Sequence, residues 1–518
     1  MRIGVLASLS PLLSLASGLA VSGRSQANHS SAVYPVSVSN DNSSRSFGFT
    51  NAFDVHYTVT LYVNGAPYQV FVDLGSSDTW FSPSAQGGLM PPDVIDTGIN
   101  ATFDYLAPGQ VVLANVTLGP YTINNQAIAV VTNSTQTLPG AFVGVIGIGG
   151  AGISRISQAL ANSSYADNGT PVMYNLFKHQ PELPNYMTFL MNQTAYTTLG
   201  DGGVVTIGNV LADKTDILNA PVIQSPTLWG QWASFMTGVS ANGRMLTGHS
   251  GMNATNYKNY TVAVPEGSTV ALFDTGTGLI VGPEYYAEQI YGNIPGAEKS
   301  ELFGDVAWKV PCDTKLNISF VFGDASYPLR PADATFGQID LNGTYTCYGT
   351  VLGAPIADAT GADWLLGAYF MGSVYQLFDY GDPDPADGLY RTSTQLLTSF
   401  DPDEAWAEAD ALLAARKQAW LDAYSSVITM TATSTVGTLP ATWTGAQFTP
   451  AVTTVTDSMI SSAQSATPIT IVPPTSVTST GTATATSTAA AASSSSLASG
   501  MSFFRGLRAA VWSHLQSS

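Results

Sequence analysis

Two stretches decide how this chain is read: Val70-Phe71-Val72-Asp73-Leu74-Gly75-Ser76 and Ala271-Leu272-Phe273-Asp274-Thr275-Gly276-Thr277. Each is an apolar run that ends in Asp-x-Gly-[Ser/Thr]. Each is followed downstream by an apolar-apolar-Gly step, Val145-Ile146-Gly147 in the first half and Leu365-Leu366-Gly367 in the second. One such turn is an ordinary exit from a strand, because Asp and Gly are common turn residues. The same pair of features occurring twice, at lobe-sized separation, is an internal duplication. Around both copies, residues 49–398 alternate short β-branched and aromatic runs with Gly, Asn, Asp and Pro, as at 55–63, 110–118, 126–131 and 204–207. That alternation predicts a mostly β body, divided into halves at 49–225 and 226–400.

Composition narrows the chemistry. The 518 residues are 45% hydrophobic and 10% charged, enough apolar surface for large cores and too little charge for a disordered protein. There are 17 Lys and Arg against 36 Asp and Glu, a formal net charge of -19. No basic cluster is available to neutralise phosphates, which excludes nucleic acid as the main partner. Five His, none spaced i, i+4 from another, and two Cys are too few for a zinc ribbon or an iron–sulfur cluster, so no metal is expected. Each His reads as a solvated or core residue, and catalysis falls to carboxylates or hydroxyls. Two decoys are set aside. Gly147-Ile148-Gly149-Gly150-Ala151-Gly152 fits G-x-G-x-x-G but has no βαβ surroundings. Gly248-His249-Ser250-Gly251-Met252 falls one glycine short of a nucleophile elbow.

The duplicated strings resemble the pepsin-like aspartic peptidases, of the fungal secreted type, over residues 49–398. Asp73-Leu74-Gly75-Ser76-Ser77-Asp78-Thr79-Trp80 is similar to the family's first active-site motif, and Asp274-Thr275-Gly276-Thr277 to its second. The strings Phe142-Val143-Gly144-Val145-Ile146-Gly147-Ile148-Gly149, Trp364-Leu365-Leu366-Gly367-Ala368-Tyr369-Phe370 and Val374-Tyr375-Gln376-Leu377-Phe378-Asp379 sit where family members carry similar ones. The resemblance implies an all-β, bilobal fold with the cleft between lobes and one catalytic Asp from each, Asp73 and Asp274. Gly75, Ser76, Thr275, Gly276 and Thr277 are then their supports, and Cys312 and Cys347 are placed like the family's disulfide in the C-terminal lobe. Tyr105 maps to the flap, where Phe103-Asp104-Tyr105 precedes Pro108-Gly109; Leu106-Ala107 stands in place of the family's Tyr-Gly-x-Gly run.

The activity implied is that of an acid endopeptidase acting on peptide or protein substrates without a cofactor. Two carboxylates held close together cannot both ionise and so share one proton. The ionised partner can deprotonate a water while the protonated one donates to the peptide carbonyl, with no covalent adduct. One position departs from the pattern: Leu74 stands where the family has Thr or Ser. Those hydroxyls link the loops beneath the pair, so half of the link should be missing, at about 1–3 kcal/mol, and a hydroxyl restored at 74 should return up to about 1 kcal/mol. The competing reading is a secreted peptide-binding or wall-associated protein that keeps this fold without turnover.

The ends of the chain speak to export. Arg2, an apolar stretch over 3–20 and the small residues Ala16, Gly18 and Ala20 read as a signal peptide at 1–20. Acceptors of the form N-x-[Ser/Thr] occur at Asn28, Asn42, Asn100, Asn115, Asn133, Asn162, Asn168, Asn192, Asn253, Asn259, Asn317 and Asn342, a density that suits a secreted glycoprotein. In that oxidising route Cys312 and Cys347 should pair, two free buried thiols being the alternative. Residues 21–48 form a short N-terminal segment; with Arg24 and Arg45 its only permanent cations, it lacks the charge of a basic, self-inhibiting propeptide. After the body, Asp401-Pro402-Asp403-Glu404 opens a helix over 401–428 with Trp406, Leu413 and Trp420 on one stripe. Residues 429–500 are a Ser/Thr/Ala/Pro-rich, disordered stalk, which could hold the protein at a cell wall, and 501–518 a short amphipathic segment. No run of about 18 uninterrupted apolar residues predicts a membrane span, and a monomer is expected.

Overall fold

The computed structural model describes residues 46–52, 54–82, 91–103, 108–132, 143–193, 199–226, 231–257, 260–340, 343–384 and 390–434. The expected signal peptide, the N-terminal segment up to 45, the stalk beyond 434 and the last segment lie outside them.

The first half is built from strands β1 (Ser46–Ala52), β2 (His56–Val63), β3 (Ala66–Asp73), β4 (Thr79–Phe81), β5 (Ile95–Ala101), β6 (Gly109–Leu118), β7 (Tyr121–Val130), β8 (Gly144–Gly147), β9 (Tyr186–Met191) and β10 (Leu199–Ile207). β2 and β3 form a hairpin because Asn64-Gly65 supplies two successive positive φ angles, 47° and 82°, the combination a tight two-residue turn needs. β7 starts at Tyr121 and not at Gln126, since Leu118 pairs with Tyr121 across the Gly119-Pro120 turn. The polar Tyr121-Thr122-Ile123-Asn124-Asn125 run looks unlike a strand in sequence, yet Asn124 and Asn125 are simply exposed.

The duplication in sequence is a duplication of topology. β8 lies between β3 and β4, parallel to the first and antiparallel to the second. In the second half, Trp364–Leu366 lies between Thr269–Phe273 and Ile280–Gly282 in the same two senses. The apolar-apolar-Gly steps end these inner strands, where the backbone passes so close to the motif loop that a side chain has no room: a Cβ on Gly147 would lie 2.5 Å from the Asp78 nitrogen. The late strand Val374–Asp379 returns to the first half and pairs with β9, and Ser393–Thr398 pairs with it in turn, completing a 13-stranded sheet, while a 9-stranded sheet carries the second motif. The result is the all-β, two-lobed architecture that the sequence predicts, with few helices. The main core runs through both lobes, and a smaller cluster of Trp80, Phe103, Val111, Leu113, Ile156 and Leu160 lies under the β5–β6 hairpin.

Cys312 and Cys347 form a disulfide, which sets aside the free-thiol alternative. The bridge closes 35 residues of chain, worth about 4 kcal/mol in the chain-entropy account. The C-terminal helix runs over Pro402–Ser434, its start capped by the Asp401 carboxylate, which accepts the Asp403 and Glu404 N–H groups at 2.9 and 3.0 Å. Of the expected stripe of Trp406, Leu413 and Trp420, Leu413 is half-buried and Trp420 packs half-buried against the main core, whereas Trp406 is 42% exposed; the most deeply buried side chains of the docked face are Ala409 and Arg416, two turns apart. Trp406 sits beside that face, with the Lys315 ammonium 5.3 Å from its ring centre. Among the described residues no helix is long and apolar enough to cross a membrane.

Candidate active site

Asp73 ends β3, and Asp274 directly follows the matching strand of the second half, so each is delivered by an apolar strand into a Gly-containing turn. Both are buried, and their settings correspond atom for atom. Asp73 Oδ1 accepts the Gly75 N–H at 2.8 Å and its Oδ2 accepts the Ser76 hydroxyl; Asp274 Oδ1 accepts the Gly276 N–H at 2.9 Å and its Oδ2 the Thr277 hydroxyl at 2.6 Å. Each glycine also faces the opposite carboxylate. A Cβ on Gly75 would lie 2.7 Å from Asp274 Oδ1; one on Gly276 would lie 2.6 Å from Asp73 Oδ1 and 3.1 Å from Asp274 Oδ1. Two Oδ1 atoms reaching one point from both sides bring the carboxylates face to face. Only a residue without a side chain fits between each turn and the other lobe's acid.

Beneath the pair, the Thr275 hydroxyl donates to the Val72 carbonyl at 2.7 Å and accepts the Leu74 N–H at 3.0 Å, linking the halves. Leu74 has no hydroxyl to return the link; its side chain is fully buried in the main core. Around it the first turn is fastened at the backbone: the Ile148 N–H donates to the Asp73 carbonyl at 2.9 Å, and the Gly149 N–H to the Ser76 carbonyl at 2.6 Å. The Ile148 carbonyl in turn accepts the Trp232 indole N–H at 3.2 Å and the Tyr380 hydroxyl at 2.7 Å, both from the second half. Asp78 caps the helix Arg155–Leu160, accepting the Ser154 hydroxyl at 2.6 Å and the Arg155 N–H at 2.7 Å; burial makes it a weaker acid than an ordinary carboxyl group, against those hydrogen bonds. Trp232 and Tyr380 carry no local motif and become visible only once the halves are joined.

For His56, as for the other histidines, the sequence leaves open a solvated or a core position. His56 is core: buried at the start of β2, ring centroid 4.7 Å from that of Phe71. Burial pushes it down to about 4, with the charge of Asp73 acting in the opposite direction. Tyr105 lies outside the described residues; the strands on either side of it, β5 and β6, form a hairpin with a bulge between Asp96 and Ile99. The glycines of the G-x-G-x-x-G decoy are used for close packing, since a Cβ on Gly149 would sit 2.6 Å from the Leu74 carbonyl oxygen. Ser250 donates to Asp363 at 2.7 Å and accepts the Met252 N–H at 3.0 Å, while its neighbour His249 stacks on Tyr285. Among the described residues there is no group of His, Cys, Asp and Glu arranged to hold a metal ion.

Residues 97–384 match the family model for eukaryotic aspartyl proteases, a match that contains Asp274 and begins downstream of Asp73. The chain is 25% identical over 345 residues to the major aspartyl peptidase 1 of Cryptococcus neoformans var. grubii, covering 61% of this chain and 65% of that one. It is 24% identical over 361 residues to penicillopepsin-3 of Penicillium janthinellum, covering 64% and 77%. Among solved structures it is similar to the aspartic proteinase from Irpex lacteus, at 19% identity and a TM-score of 0.48 over 69% of this chain and 98% of that one. The chain thus spans just under two thirds of the length of the Cryptococcus relative.

Proposed function

Because the chain belongs to the eukaryotic aspartyl protease family, we propose that it is a secreted acid endopeptidase in which Asp73 and Asp274 activate a water against a peptide bond. The observation that carries this is the matched setting of the two carboxylates, each held by one N–H and one hydroxyl and each meeting the other's glycine. The mechanism uses one carboxyl ionised and the other protonated, and two carboxylates facing each other in general resist joint ionisation. The ionised member takes a proton from water as the water oxygen bonds to the peptide carbon, and the protonated member passes its proton to the carbonyl oxygen. As the C–N bond breaks, a proton moves to the leaving nitrogen, and the pair returns to its starting state. Gly75, Ser76, Gly276 and Thr277 act by fixing both carboxylates before substrate arrives, and Thr275 by tying the two turns together.

Purified protein at about pH 3–5 should digest an unfolded protein substrate and be blocked by a statine-type transition-state analogue. Asp274→Asn should abolish the digestion. Wild-type protein that stays inert across that range while still binding the analogue would establish a peptide-binding protein in place of an enzyme. Export is favoured by the sequons: Asn100, Asn115, Asn162, Asn253 and Asn317 are exposed, and Asn168 and Asn192 half-buried. Protein collected from culture medium should therefore lose mass on treatment with a peptide:N-glycosidase; unmodified protein retained in the cytosol would end the export reading. The stalk after the C-terminal helix would then act as a tether at a cell wall.

A further inference from the structure

His56 opens β2, the strand hydrogen-bonded to the one that carries Asp73. The β2–β3 register pairs Thr58 with Phe71; continued by two residues that register would set His56 opposite Asp73, on the same face of the sheet. The imidazole lies against Phe71, its diagonal neighbour, and is buried. The residue before it reaches the second turn: a Cβ on Gly278 would lie 2.8 Å from Val55 Cβ. His56 therefore sits in the framework where the two motif turns meet, and it interacts electrostatically with Asp73. The charged group that acts on it is Asp73 on β3; Asp54 lies two residues before it in the chain. The Asp54 carboxylate is engaged by the Asn51 amide at 2.5 Å; Phe71 and Thr58, on either side, are neutral.

We propose that His56 is a positioning residue for Asp73, its imidazole packed beside the carboxylate and, once protonated in acid, favouring the ionised form of Asp73 that serves as base. This rests on reading Asp73 and Asp274 as the reacting pair. An apolar side chain would fill the space beside Phe71 equally well and would not resist acid. A histidine here changes charge near pH 4, inside the range in which a two-aspartate site operates. A cation that appears next to the base as the medium becomes more acidic opposes protonation of that base, so activity extends to lower pH.

Two measurements test it, one independent of turnover. In the pH dependence of kcat/KM, His56→Gln should move the acid limb up by about half a unit, a roughly threefold loss at the acid end relative to the optimum. A uniform loss at every pH, with the limb in place, would make the residue merely structural and overturn the proposal. In NMR titration of the His56 ring in otherwise wild-type protein, Asp73→Asn should lower the midpoint further below its value near 4, because the charge that favours protonation has gone. An unmoved midpoint overturns the proposal even if His56→Gln does not fold or the protein lacks activity. Failure of the reacting-pair reading is seen separately, as a wild type without acid activity.

Discussion

Arg416 is the side chain that fastens the C-terminal helix to the second lobe, and its removal should be felt more than any other change on that helix. The guanidinium is 2% exposed and its partner Asp333 fully buried; Nη2 donates to Asp333 Oδ1 at 2.6 Å and Nη1 to the Ala332 carbonyl at 2.8 Å. The other polar contacts of the helix are peripheral. Lys315 pairs with the exposed Asp410 at 2.9 Å, and Lys417 stands 5.9 Å from the Tyr345 ring centre. Such exposed contacts contribute about 0–1 kcal/mol each. Arg416→Ala removes two charge-assisted hydrogen bonds and leaves the Asp333 charge in an apolar setting, at about 3–5 kcal/mol. A carboxylate stranded in this way escapes the cost by taking up a proton, so the deficit should narrow as pH falls. Replacing both partners by apolar residues of similar volume, Arg416→Met with Asp333→Leu, should recover most of the loss. The assays are urea unfolding at about pH 7 and pH 4, and amide hydrogen exchange along 402–425, which distinguishes undocking of the helix from unfolding of the lobe. An Arg416→Ala protein with an unchanged urea midpoint and unchanged helix protection would refute the reasoning.

Three further outcomes rest on the buried groups Asp379, His56 and Leu74. Burial raises Asp379 to about 6, against the Gly381 N–H at 2.9 Å. Its stabilising contribution is therefore fully present below the unfolded value near 3.8 and is lost as pH rises through 6; at about 1.4 kcal/mol per unit this amounts to roughly 3 kcal/mol. Asp379→Asn should cost about that much more stability at pH 3.5 than at pH 7 in chemical denaturation, and equal effects at both would rule the account out. His56 has the opposite sign, its contribution present above 6.5 and lost as pH falls through about 4, so the two slopes oppose each other in the wild type and each variant should expose the other. Leu74→Thr should lower stability by about 1 kcal/mol, since truncating a fully buried Leu costs about 2 kcal/mol and one restored hydrogen bond returns about 1. A raised melting temperature would instead support the gain expected from sequence.

The two-lobed β fold and the meeting of Asp73 with Asp274 were legible because both are written locally and twice. Each motif carries its acid, the N–H and hydroxyl that hold the acid, and the glycine that lets the other lobe approach within four residues of chain. Nothing has to be known of the rest of the fold to read them. The Leu74 departure was equally visible, but its consequence was not. Sequence shows that a hydroxyl is missing; only the structure shows that the side chain in its place fills the main core, which turns an expected defect into a packing contact.

What was not legible depends on partners that lie far away in sequence. The helical spacing of Trp406, Leu413 and Trp420 suggests an apolar face, and Trp420 does pack against the main core, yet the most deeply buried polar contact of the helix is made by a charged residue, because the surface it meets, Pro331–Ala334, presents a buried carboxylate. A periodicity argument assigns Arg to the solvent side by default, and only the identity of the opposing side chain reverses that. His56 follows the same logic. No motif surrounds it, and the interaction with Asp73 exists only because Asn64-Gly65 closes the β2–β3 hairpin in one register. A slip of one residue would turn the imidazole to the other face of the sheet. The tight turn, at the far end of the hairpin from the acid, thus determines which titratable group stands beside Asp73.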